Sequence, residues 1–405
     1  MPIIYLHGVN TRDPKHFLPV EVYLRRIVAP AIAPDPANVS IRAADWFPLC
    51  EPPKWGGISR PSTLLGQGAE IERSELLDAI VARTPRESPR ESGFTSGQAA
   101  SPSKGARLDK LSDEDLADLI TVSAAGGGVD DVQRARIGIA ADGAARDPLI
   151  RQKVKDALDL DGQLKVLSDA VQADVELQST LAGQGALDLL SGIHDRITES
   201  FSRVGDTPGA ALTLAAGELR PKLNDFITRF FGDVLFYMTR RGSAQAPGQI
   251  PRVLIDELVI ADANKAARNG EPIVLLSHSM GGQIAYDVLT SFLPAAGSSV
   301  KVDFWCATAS QVGFFEELNM FLASSPKFAK ATGQRTPITN ANLGSWWNVW
   351  DRNDILSFTT EGIFTSGIDD EEYWSGMSLA AAHGGYLERP SFYRRLAAKL
   401  QATLP

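Results

Sequence analysis

The amino-acid sequence predicts an α/β fold: a mostly parallel central sheet with helices on both faces, carrying a large, mainly helical insertion. Three observations predict it. Short apolar runs of strand length, such as Ile3–Leu6 and Pro272–Leu276, alternate with amphipathic stretches of helix length. That alternation is how parallel sheets buried on both faces are written. The alternation stops after residue 51 and resumes near 217, with no convincing strand pattern between. Residues 1–51 and 217–405 are therefore read as one core, and 52–216 as a helical insertion or cap.

In chain order, Ile3–Leu6 reads as a buried strand ended by His7-Gly8, Pro19–Val28 as a helix and Val39–Trp46 as a second strand. Within the insertion, Arg83–Arg107 is rich in Ser, Pro, Gly, Arg and Glu. Such a composition buries too little apolar surface to order itself, so a mobile linker is expected there. Ser112–Val122, Pro148–Val166 and Asp169–Leu181 read as amphipathic helices, and Ala124–Gly128 as a small, flexible joint. Pro221–Arg240 is a helix candidate with Phe226, Phe230, Phe231, Leu235 and Phe236 as its apolar face. Helix Pro251–Arg268, strand Pro272–Leu276, helix Gly281–Phe292, strands Val302–Thr308 and Trp346–Trp350, and helix Pro390–Leu404 complete the pattern, without internal repeats.

Composition narrows the function. A net charge of −9 with no long basic run argues against a nucleic-acid backbone as partner and against constitutive docking on an anionic membrane. No apolar stretch reaches the roughly 18 residues of a membrane span, and the first residues look like a strand rather than a leader. A cytoplasmic location is expected, with leaderless secretion left open. The two cysteines, Cys50 and Cys306, lie far apart, and Cys306 sits in an apolar run. Neither a disulfide framework nor a Cys/His cluster is visible, so no metal and no cofactor is expected.

The most informative segment is Ile273-Val274-Leu275-Leu276-Ser277-His278-Ser279-Met280-Gly281-Gly282. A buried strand runs directly into a helix with a serine at the turn. A serine there sits on a tight, strained corner, so the residues two before and two after must be small. Gly281 meets that demand, and Ser277 stands where glycine is usual. The turn also sets Ser279 at a helix N-terminus, where backbone N–H groups favour developing negative charge. Ser279 is the predicted nucleophile.

Ser277–Gly282 resembles the nucleophile elbow of lipases and esterases of the α/β-hydrolase superfamily, and Leu6-His7-Gly8-Val9-Asn10 resembles that family's oxyanion loop. The resemblance covers about the first fifty residues and everything from about Gly217 onward, but not the insertion. It implies an α/β-hydrolase fold and a Ser–acid–His order along the chain. Of five histidines, His7 belongs to the oxyanion loop, His16 to an early helix or loop and His194 to the insertion. His278 adjoins Ser279, and its side chain is expected to point away from it. His383, in a small-residue loop before the last helix, is left as the base. The acid is expected after strand Trp346–Trp350, in Asp351-Arg352-Asn353-Asp354. Asp354 fits the family position best, with Asp351 as runner-up and a turn residue as its ordinary role. The backbone N–H groups of Met280 and of Val9 (or Asn10) are the expected oxyanion donors.

These residues predict a serine hydrolase that cleaves carboxylic esters, of lipase, esterase or phospholipase type, through an acyl-enzyme. The expected substrate is a small-molecule or lipid ester, with transient membrane-surface contact through the insertion and no nucleic acid. The same triad also serves acyl transfer and thioester hydrolysis, and the fold also serves as a non-catalytic interaction or effector module.

Overall fold

The computed structural model describes residues 2–9, 11–13, 15–52, 54–55, 108–124, 131–181, 228–268, 270–338, 340–365, 367–377 and 382–404. Six strands build one sheet: β1 (Pro2–Leu6), β2 (Ser40–Ala44), β3 (Val274–His278), β4 (Val302–Thr308), β5 (Leu343–Trp350) and β6 (Ile368–Glu372). Their order is β2-β1-β3-β4-β5-β6, and every pairing is parallel. The class predicted from alternating runs is therefore the class observed.

Period-two alternation along the strands divides the core into two layers. Ile4, Leu6, Leu275, Trp305 and Trp346 face helical residues 228–240, α7 (Gln249–Ala267) and α8 (Met280–Asp287). Ile3, Tyr5, Val274, Leu276, Cys306 and Trp347 face the other layer. That layer holds α1 (Phe17–Tyr23), α2 (Ala29–Ile32) and the closing helix α12 (Pro390–Thr403). A π-helical turn, Leu24–Val28, joins α1 to α2. Both faces of β1 and β3 are thus covered, which is why those strands read as unbroken apolar runs.

The described part of the insertion is helical: α3 (Asp113–Ala124), α4 (Asp131–Arg146), α5 (Pro148–Asp156) and α6 (Leu160–Leu181). These helices share an apolar cluster that includes Leu116, Ile137, Leu167 and Val171. They also dock on the core. Ala135 of α4 packs in the layer of Tyr23 and Tyr393, Asp142 pairs with Arg394, and Asp118 accepts the Ser391 hydroxyl at 2.6 Å.

Several expectations change. The helix expected over Pro148–Val166 ends at Asp156, and the chain bends through Ala157–Asp159, where the Asp159 carboxylate accepts the Gly162 N–H at 2.8 Å. α6 then runs unbroken across the gap expected near residue 167. Helix α4 carried no sequence signal because its buried face is mostly alanine: Ala135, Ala140, Ala141, Ala144 and Ala145. In helical residues 228–240 the buried face is Phe230, Val234 and Tyr237, while Phe231 and Leu235 are more than half exposed. Strand β6, Ile-Asp-Asp-Glu-Glu, lacks any apolar alternation. It forms as an edge strand whose acids find partners: Asp370 accepts from Asn348, Glu371 from the Trp347 indole, and Asp369 from Lys399. The expected linker at Arg83–Arg107, most of the joint at Ala124–Gly128, the stretches 56–107 and 182–216 of the insertion, and residues 217–227 of the expected core, Phe226 among them, lie outside the described residues. Among the described residues no helix is long and apolar enough to cross a membrane, and Cys50 and Cys306 are free thiols.

A further helix, α10 (Val312–Glu317), follows β4. Two very short helices complete the set: α9 (Leu293–Ala295) after a π turn, and α11 (Ala382–Gly385) ahead of α12.

Candidate active site

The strand order reverses between β1 and β3: the chain leaves β1 toward β2 on one side and later continues from β3 toward β6 on the other. A crevice opens at the carboxyl ends of the strands at such a switch point, and ligands of open α/β sheets bind there. His7-Gly8-Val9 leaves β1 and Ser279 leaves β3 at this crevice.

Ser279 has φ 53° and ψ −128°, a conformation that side-chain-bearing residues rarely adopt. The surroundings hold it there. Its N–H donates to the Thr308 carbonyl at 2.9 Å, and its own carbonyl accepts the Gly282 N–H at 2.8 Å. The turn is crowded on both sides. A Cβ on Gly281 would stand 2.5 Å from the Leu6 carbonyl oxygen, and one on Gly8 would stand 2.6 Å from the Ser279 Cβ. Ser277 is accommodated because its fully buried hydroxyl turns toward β4 and accepts the Trp305 indole N–H at 2.8 Å.

The structure brings Ser279, His383 and Asp354 together. His383 lies on α11, with Nε2 2.8 Å from the Ser279 Oγ and Nδ1 3.0 Å from each carboxylate oxygen of Asp354. With Nδ1–H donating to the carboxylate, Nε2 is the ring atom that accepts the Ser279 hydroxyl. Asp354 is buried and also accepts the Leu356 N–H at 2.9 Å and the Tyr386 hydroxyl at 3.2 Å. Burial pushes the Tyr386 phenol well above its usual range, so it stays a donor. The runner-up acid, Asp351, points elsewhere. Its carboxylate accepts the backbone N–H groups of Asn353 at 2.8 Å and Ser375 at 2.7 Å, and its carbonyl accepts the Asp354 N–H. Burial raises its carboxyl above the ordinary carboxylate range. It shapes the loop that presents Asp354.

His7 and His278 are built into the frame. His7 Nδ1–H donates to the Gly8 carbonyl at 2.8 Å, and Nε2 accepts the amides of Trp46 at 3.1 Å and Phe47 at 3.3 Å. Burial lowers its pKa to about 3, so the ring is neutral. Because the Gly8 carbonyl is held by His7, the Val9 N–H across the same trans peptide points the opposite way. Met280 opens α8, where first-turn amides have no acceptor within the helix. The two expected oxyanion donors therefore sit on the two segments that meet at Ser279, while Asn10 lies outside the described residues. His278, expected to point away from Ser279, engages a partner that the sequence did not reveal: its Nε2–H donates to the main-chain carbonyl of His383 at 2.6 Å. Tyr386 and this contact of His278 are what sequence reasoning missed; the position of His278, one residue before the predicted nucleophile, was the available hint.

Among the described residues, His7, His16 and Asp45 are near enough to suggest a metal, with candidate ligand atoms within 4.8 Å of one another. Both nitrogens of His7 are already engaged with the backbone, so this group lacks the free lone pair a metal needs. His194 lies outside the described residues. Beside the crevice, a cavity of about 210 Å³ is lined by Val9, Thr11, His278 and Gly384 together with Arg134 and Ala135 of α4. The insertion thus reaches the neighbourhood of Ser279.

An imidazole held in this way can take the hydroxyl proton of Ser279, with the carboxylate stabilising the imidazolium that results. No protein-family model matches the chain, and no curated protein and no solved structure matches it significantly.

Proposed function

We propose that this chain is a serine hydrolase of the α/β-hydrolase type that cleaves carboxylic esters. The observation that carries the reading is the His383 ring, with Ser279 Oγ at 2.8 Å on one nitrogen and Asp354 at 3.0 Å on the other, at a turn whose strained serine has φ 53°. Strain at a buried serine costs stability and persists where the surrounding structure enforces it, as at functional sites.

In this mechanism Ser279 Oγ attacks the ester carbonyl carbon while its proton passes to His383 Nε2. The tetrahedral oxyanion takes hydrogen bonds from the Met280 and Val9 amides. The intermediate collapses, the C–O bond to the alcohol breaks, and the alkoxide leaves with the proton from His383. Water repeats the sequence on the acyl-enzyme and releases the carboxylate product. Asp354 keeps His383 in the tautomer that accepts at Nε2. The approach of α4 to the crevice supports a role for the insertion in receiving the ester.

A fluorophosphonate probe and a panel of esters of graded chain length, with and without lipid vesicles, test the proposal. The wild type should label on Ser279 and hydrolyse part of the panel, and Ser279→Ala should do neither while keeping its melting temperature. Labelling on another residue, or ester turnover retained by Ser279→Ala, would overturn the assignment.

A further inference from the structure

The residue before Ser279 is joined to the residue that faces it. His278 is the last residue of β3, a strand hydrogen-bonded to β1 on one side and β4 on the other, with His278 itself paired to Thr308. Its backbone is thereby held in the sheet ladder beside the crevice. His383, by contrast, belongs to a helix of four residues, Ala382–Gly385, that runs straight into the turn Tyr386–Glu388. A ring carried on so short a helix is placed only as well as its main chain is placed. The His278 Nε2–H reaches across 2.6 Å to the His383 carbonyl, with the two rings 5.1 Å apart.

We propose that His278 is a positioning residue: by donating to the His383 main-chain carbonyl, it ties the proton-accepting ring to the strand that carries Ser279. This rests on the function proposed above. The bond works on the backbone, whereas Asp354 and Ser279 hold the ring, so each fixes what the other leaves free. Burial keeps the His278 ring neutral down to about pH 4, so it remains a donor without adding a positive charge beside His383. Misplacement of a reacting group by about 1 Å costs on the order of 100-fold in rate, so a modest slack at α11 is enough to be seen.

The test is a series on the full chain: His278→Gln, whose amide nitrogen reaches about as far as Nε2; His278→Asn, whose amide stops short; and His278→Leu, which donates nothing. Readouts are kcat and KM on an ester, the rate of fluorophosphonate labelling, and the low-field proton signal of His383 Nδ1–H on Asp354. His278→Leu and His278→Asn should lose about 10- to 100-fold in kcat with KM changed less than about 3-fold. His278→Gln should recover most of the loss. The low-field signal should stay sharp in wild type and His278→Gln and broaden in the other two. If His278→Leu fails to fold, the contrast between Gln and Asn carries the test. Wild-type kcat in His278→Asn, or equal losses in Gln and Asn, would overturn the inference alone. A wild-type chain that takes no probe at Ser279 would overturn the proposed function and this inference with it.

Discussion

The contact between Gly8 and Ser279 makes Gly8→Ala a sharp probe of the crevice. An alanine Cβ there would stand 2.6 Å from the Ser279 Cβ and 3.1 Å from both the Ser279 Oγ and the His278 carbonyl oxygen. Ordinary contact begins at 3.4 Å, so something must move by about 0.8 Å. The Ser279 side has little room to yield. Helix α8 is seated against β1 so closely that a Cβ at Gly281 would stand 2.5 Å from the Leu6 carbonyl, and Ser279 N–H is bonded to β4. The loop after β1 is therefore the part that shifts, and it carries the Val9 N–H. Loss of one oxyanion donor costs about 2.7–4 kcal/mol in comparable sites, a fall of roughly 100- to 1,000-fold in kcat. Overpacking of this size adds about 1–3 kcal/mol of instability. The expected result is a kcat lowered about 100-fold or more, a parallel fall in fluorophosphonate labelling, and a protein that still melts cooperatively. The assay is ester turnover and labelling rate side by side with a urea melt. A Gly8→Ala protein with wild-type kcat would refute the claim that this backbone presses on the nucleophile and supplies a donor.

Further outcomes are expected. Asp354→Asn should lower kcat by on the order of 10⁴-fold, because the amide favours the wrong histidine tautomer. Asp351→Asn should act on stability instead, costing about 1–3 kcal/mol in a urea melt through an unsatisfied backbone N–H, with kcat within about 10-fold of wild type; the reverse ranking would move the acid to Asp351. Stability should also fall with acid. The folded-state pKa values of His278, about 4, and His7, about 3, lie below the usual 6.5, so between those limits the unfolded chain binds protons that the fold refuses. Their contribution is fully present above pH 6.5 and is lost as pH falls, by about 2–3 kcal/mol per ring at pH 4.5. His278→Gln should make the dependence of urea stability on pH shallower by nearly one proton between about pH 6 and 4.5, and an unchanged slope would contradict the buried neutral ring.

What the sequence made legible divides along a physical line. Strands β1, β3 and β4 were readable because they are covered on both faces and nearly every position is buried and apolar or small, Asp303 and His278 being the exceptions. β6 was not, because an edge strand can spend its side chains on salt bridges, and Asp369 and Glu371 do so with Lys399. Helix α4 escaped notice for a related reason. An alanine face lets a helix approach closely and buries little area per residue, so it leaves no strong periodic signal. The aromatic stripe at 226–236 misled in the opposite sense. Large apolar residues mark a buried face only when they fall on the 3.6-residue period of contact, and Phe231 and Leu235 fall off it.

The site divides differently. Ser279, His383 and Asp354 could be singled out, and the structure brings them together, because each proposed role needs a particular residue type after a particular strand and few residues qualified. Choosing Asp354 over Asp351 on sequence rested on motif position; the structure separates them by where their lone pairs go. Asp351 spends its carboxylate on two backbone amides, and Asp354 aims both oxygens at His383 while taking supporting bonds from Leu356 and Tyr386. Contacts that pass through the backbone leave no such trace. Any side chain with a donor at the right height serves the His383 carbonyl, and any residue can supply such a main-chain carbonyl. The departure at Ser277 belongs with these. Glycine is usual there because a side chain crowds the turn, yet a serine fits once its hydroxyl has an acceptor's task toward the Trp305 indole on the neighbouring strand. A short motif therefore constrains the volume next to a nucleophile more tightly than it constrains residue identity. The partner that relaxes the rule lies 28 residues away, on a strand that only the fold brings alongside.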